Sequence, residues 1–179
     1  MSSANVAVAP IVVEVPALRV AGHGRWAYRH LVTSPAPGES PDQAARRLAG
    51  VPADAARTVV HSTSRRHEPD GRIVLSYAVC PDPWPELPAI DLPEPRPARG
   101  DGPASPTPVE VRPEHVAAHA LGHLALLLDT DPAVRAALTA APAVAAALAG
   151  LARTPAGALP TRRERDQDWG RKRPNRPRW

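Results

Sequence analysis

At 179 residues and 19.0 kDa the chain has room for one domain of ordinary size and a tail, and is too short for a barrel enzyme or a two-domain oxidoreductase. Twenty-four prolines, no Phe, two Tyr and four Trp leave a small core built mainly of Val, Leu and Ile, since the abundant Ala buries little area. The net charge of +4 is localised: residues 162–179 carry eight cations and three anions, so the remainder sums to −1 and is not a basic body.

Cys80 is the only cysteine, which excludes an intrachain disulfide, a cysteine zinc cluster and a CxxC redox pair. No basic stretch precedes Val6–Val8, and Pro10, Glu14 and Pro16 interrupt the apolar run that follows, a poor pattern for a secretory signal. Residues 136–152 are uncharged, but Pro142 splits them and Ala dominates, so no membrane span is expected. The expectation is a cytoplasmic protein without a membrane partner. Lys172 is the one lysine, and the excess of Arg and Ala is what a G+C-rich coding sequence produces.

In chain order, Ile11 to Val15 is rich in β-branched residues and reads as a strand ending near Pro16. Gly22 and Gly24 mark a turn. Residues 25–32 read as a second strand with Trp26, Tyr28, His30 and Val32 on one face. After a Pro/Gly loop, Ser40, Pro41 and Gln43 compose a capping box, and Gly50 with Pro52 ends a helix of about two turns. Residues 57–64 and 72–79 read as an antiparallel hairpin around the turn Glu68-Pro69-Asp70-Gly71, with Ile73, Leu75, Tyr77 and Val79 sharing a face. Residues 81–113 hold eleven prolines and read as a loop or spacer, or a proline-motif docking segment, because each proline removes an amide donor. One helix is expected from Pro113 to about Leu128, and another from Pro132, bent or split at Pro142. Beyond Gly157 the composition is that of a disordered basic tail.

Three groups of residues invite chemistry. His115, His119 and His123 recur every four residues, forming a stripe centred roughly 130° from the apolar face of their helix, toward solvent or a neighbour. Adjacent members could share a zinc ion or sense protons, but His115 and His123 are about 12 Å apart along the axis, and Val116 stands where a metalloprotease helix has Glu. Solvated or packed histidines are the simpler reading. His61 and Ser62 lie on a strand and point to opposite faces, so they make no nucleophile pair, and no GxSxG elbow is present. Arg65, Arg66 and His67 at the strand end suit a phosphate or carboxylate. Neither a phosphate loop nor GxGxxG occurs, and the tail's Trp169 and Trp179 among arginines suit nucleic acid or an acidic protein.

Residues 37–48, Pro-Gly-Glu-Ser-Pro-Asp-Gln-Ala-Ala-Arg-Arg-Leu, resemble the start of a Nudix box. The order strand, strand, loop, short helix, hairpin, later helix is similar to the Nudix fold over roughly Val12 to Val79, with the helix after Pro113 as a second helix. The family motif is G-x5-E-x7-R-E-U-x-E-E-x-G-U, with U aliphatic. Placing Glu39 on its first Glu puts Arg47 on the motif Arg. Thr33 then replaces the first Gly, Leu48 the Glu after the Arg, and Val51 and Pro52 the Glu pair. In the family those carboxylates hold Mg²⁺ and position the attacking water. A helix carrying Leu48, Val51 and Pro52 lacks such oxygen ligands. The resemblance therefore implies the fold without the usual chemistry.

The resulting expectation is an α/β (α+β) protein. It comprises a Nudix-like mixed β-sheet with a short helix over 9–80, a proline-rich insertion over 81–113, C-terminal helices over 114–156 on the same domain, and a disordered tail over 157–179. The expected function is a non-catalytic module binding a small anionic ligand or a protein partner, with Arg47, His61, Arg65 and Arg66 as contacts and no cofactor. The first alternative is a divergent Nudix-type hydrolase of nucleoside-diphosphate-like substrates, using Mg²⁺ and carboxylates such as Glu39, Glu14 or Glu68, with Glu39 as the catalytic candidate. The second is an adaptor whose 162–179 tail binds nucleic acid or an acidic protein.

Overall fold

The computed structural model describes residues 10–97 and 111–153; the expected tail, the first nine residues and the middle of the proline-rich insertion lie outside the described residues. The β-branched opening of the first strand does form β1, but β1 spans Ile11–Val20 and passes straight through Pro16, where the sequence suggests an end. The reason is visible in the ladders. β1 pairs without a gap to the antiparallel β2 (Trp26–Thr33), including Pro16 opposite His30. Its parallel ladder to β4 (Ile73–Cys80) has partners at Glu14 and Ala17 but none at Val15 and Pro16. The missing N–H of Pro16 thus points toward β4, where the ladder lapses, and the strand survives on its other side.

β3 (Val59–His67) and β4 form the expected antiparallel hairpin, with a bulge between Ser62 and Ser64. The sheet order is β3-β4-β1-β2-β5, mixed in direction. This is the expected α+β class.

Helices cover both faces. α1 (Pro41–Ala49) begins in the capping box of Ser40 and Gln43 and ends at Gly50 in the left-handed conformation, φ 73°. It lays Ala44, Ala45 and Ala49 on Val13, Val15, Ala17 and Val79. The other face carries Leu18, Trp26, Tyr28, Val59, Ala78 and Cys80, packed under α2 (Pro113–Thr130), α3 (Pro132–Thr139) and α4 (Pro142–Ala149). Asp131 caps α3 by accepting from the amides of Ala133 and Val134, and the helical stretch splits at Pro142 as expected. Among the described residues no helix is long and apolar enough to cross a membrane.

The start of the proline-rich insertion is ordered on the sheet. Asp82 is a buried hub: Arg29 donates to it through Nε (2.9 Å) and Nη2 (2.6 Å), Arg19 through Nη1 (3.3 Å), and the Trp84 amide at 3.1 Å. Trp84 lies on Gly50 and donates to the Ala49 carbonyl at 3.1 Å. The segment then crosses to the far edge and forms β5 (Ile90–Leu92), antiparallel to β2. A strand within this stretch departs from the reading as loop. It is possible because residues 89–92 contain no proline and their amides are free to pair.

Candidate functional site

Strand parity decides which polar side chains meet. Glu14 on β1, His30 on β2, Ser76 on β4, and Ser64 and Arg66 on β3 project from the face that also carries α2. Glu14 is almost fully buried. Ser76 Oγ donates to its Oε1 at 2.5 Å, Arg66 donates to the same oxygen through Nη1 and to Oε2 through Nη2 at 2.9 Å. Ser64 Oγ donates to Ser76 Oγ at 3.0 Å, and Arg66 Nε donates to Glu68 at 2.7 Å. Burial by itself would raise the Glu14 carboxyl; His30, the hydrogen bonds from Arg66 and Ser76, and the Arg66 charge outweigh it and hold the group down to about 2. Among the described residues His30 Nε2 is buried with no partner at hydrogen-bond length, its distance to Glu14 Oε2 being 3.6 Å.

Beside this cluster three histidines gather where α2 crosses β3. His61 Nε2 and His123 Nε2 are 3.1 Å apart with their rings stacked. His119 lies one turn before His123, rings stacked with 6.4 Å between centroids, and its Nε2 is 3.2 Å from the Thr63 carbonyl. His123 Nδ1 is buried without a partner among the described residues. Desolvation first, then the charges His61 and His119 would carry, lower the His123 pKa. His115 stands apart: its Nδ1 accepts from the Arg112 amide at the helix start. Among the described residues no three His, Cys, Asp or Glu side chains are placed to share a metal ion.

The remaining sequence candidates are dispersed. Glu39 and Arg47 form a two-pronged ion pair (2.7 and 2.9 Å), and Glu39 also accepts from the Ala36 amide at 2.7 Å. Arg47 and that amide hold the Glu39 carboxyl down to about 2. This pair thus fastens the loop to α1. Arg65 is exposed and pairs with Leu75, on the α1 face, opposite Arg66. The four expected contacts Arg47, His61, Arg65 and Arg66 therefore do not converge. Cys80 is fully buried, and its thiol is pushed up by burial and by Asp82.

A third feature was not read from the sequence. β5 pairs with β2 only at Trp26, Ala27 and Tyr28, so beyond Tyr28 no strand among the described residues lies on the outer side of β2. Because Pro16 faces β4, its neighbour His30 and, two residues on, Val32 turn their N–H and C=O outward along that edge. Val32 and Ile90 are 54% and 55% exposed. Next to Ile90 lies a shallow depression of about 360 Å³ lined by Tyr28, Arg29, His30, Leu31, Pro88, Ala89 and Ile90. No protein-family model matches the chain, and neither a curated protein nor a solved structure does.

Proposed function

We propose that this chain is a non-catalytic module on a Nudix-like sheet, and that it binds a protein partner by accepting an extended, apolar segment along the outer edge of β2. The observation that carries this reading is the edge at His30 and Val32, whose backbone donors and acceptors face outward beside exposed Val32 and Ile90. Pro88 lacks the amide that would carry the β5 ladder onward to His30, so the chain's own strand stops short. Strand addition supplies main-chain hydrogen bonds from such an edge, and the depression selects a β-branched or aromatic side chain.

The small-anion alternative draws less support, since Arg47 and Arg66 are already engaged by carboxylates and Arg65 stands on the opposite face from Arg66. The hydrolase reading draws less still. Glu14, Glu39 and Glu68 are each in an arginine ion pair, and α1 offers only Asp42, bonded to Arg46 at 3.0 Å. Tail binding to nucleic acid concerns residues outside those described.

An immobilised array of extended decapeptides tests the proposal, comparing β-branched and aromatic sequences with helix-forming and polyproline ones. The expected outcome is retention of the wild-type protein by the first class and loss of that retention on Val32→Lys, a charge that blocks edge pairing. Circular dichroism checks that the variant keeps its fold. Equal retention by the folded variant, or retention by no β-forming peptide, overturns the proposal.

A further inference from the structure

The histidines at the crossing of α2 and β3 carry an inference independent of the β2 edge. His61 and His123 come from elements 62 residues apart in sequence, yet their Nε2 atoms face each other at 3.1 Å. Two imidazole nitrogens at that separation need something between them. A single proton can serve, if one ring donates and the other accepts. A metal ion can also serve: two nitrogens each 2.0–2.1 Å from a tetrahedral ion stand roughly 3.3 Å apart.

We propose that His61 and His123 form a two-histidine site for a zinc-class divalent ion, with water completing the coordination. Both residues are half-buried and not sealed in the core. Imidazole binds such ions in its neutral form, through the nitrogen lone pair that each Nε2 directs toward the other ring. Among the described residues, the titratable side chains that bear on His123 are His61 and His119. His119 remains on the Thr63 carbonyl, and His115 remains at the helix start, so neither is a ligand. Binding through Nε2 places a proton on His123 Nδ1, which is buried with no acceptor among the described residues. A zinc ligand is ordinarily braced there, so this site binds more weakly than a structural zinc centre.

The test uses the untagged full chain with Zn²⁺ or Co²⁺ alone. One equivalent of Co²⁺ should give visible absorption of a tetrahedral or five-coordinate nitrogen-bound ion, and Zn²⁺ should displace it. Zn²⁺ should also raise the melting temperature by linkage. His61→Gln and His123→Gln should each weaken binding by roughly tenfold or more, while His115→Ala leaves it unchanged. Melting of each variant without metal shows which are folded, and a folded variant of either ligand suffices. Absence of stoichiometric binding in the wild type overturns the proposal. So does binding that persists in a folded ligand variant, or that His115→Ala removes.

Discussion

At the scale of single residues, Glu14 is the side chain whose environment makes the sharpest claim. A carboxylate taken out of water in the middle of a sheet is stable only because Arg66 and Ser76 donate to it, with His30 close by. Its pKa falls from 4.5 to about 2, and a depressed folded-state value means stability present above pH 4.5 and lost as pH falls toward 2. The size of that contribution is roughly 3 kcal/mol. Denaturant unfolding between pH 7 and pH 3 should show the wild type losing stability across this window. Glu14→Gln should be destabilised by about 3–5 kcal/mol at pH 7, because Arg66 is left with a lost partner, and should show a flatter acid limb. Parallel pH profiles for the two proteins would contradict the assignment. Gly50 makes a second claim. It holds φ 73°, and a Cβ there would stand 2.6 Å from Trp84 Nε1. Gly50→Ala should cost about 2 kcal/mol in thermal or urea unfolding. Gly50→Asn separates the two causes, since Asn tolerates the left-handed backbone but brings the same Cβ. A neutral Gly50→Asn would show that the ring contact contributes nothing.

At the scale of elements, what could be read in advance was whatever local chemistry decides. The bounds of α1 follow from Ser40, Pro41, Gln43 and Gly50, all within one stretch of chain, and the β3–β4 hairpin follows from Pro69 and Gly71 in its turn. β1 was legible only as far as Pro16, because whether a proline ends a strand depends on which neighbour its missing donor would have faced. β5 was hidden for a related reason. Three residues of weak pattern become a strand only when Asp82 and Trp84 have fixed the preceding chain on the sheet. The candidate site divides in the same way. The periodicity of His119 and His123 is local, so their common stripe could be seen. Their meeting with His61 depends on α2 crossing β3, and Glu14 finds Arg66 only through the register of three strands. The edge of β2 required both the register at Pro16 and the early stop of β5, and neither leaves a signal in residues 29–33 alone.

At the scale of the whole molecule, the sheet has a connectivity problem that Asp82 resolves. β4 lies on one side of β1, yet the chain leaving it must pass β1 and β2 to form the opposite edge. Along that path Asp82 anchors residues 81–88: its amide donates to the Leu18 carbonyl at 2.7 Å, and its carboxylate gathers guanidinium groups from β1 and β2. Arg19 then reaches on to the carbonyls of Trp84 and Leu87, at 3.3 and 2.7 Å, and fastens the crossing at two further points. The carboxylate is fully buried while Arg29 is nearly so, and removing one partner of such a pair costs about 3–5 kcal/mol through the charge left behind. Asp82→Ala should therefore lower global stability by that order. It should also release the crossing before the rest of the sheet. Hydrogen exchange read by mass spectrometry should show faster exchange at Ile90–Leu92 and at Trp26–Tyr28, which β5 covers, under conditions where β3 and β4 remain protected. Uniform acceleration over all strands would mean that Asp82 supports the fold only globally. Unchanged exchange at β5 in a destabilised variant would mean that the edge strand is held by its own ladder and by Leu92 in the core, with the hub serving the two arginines alone.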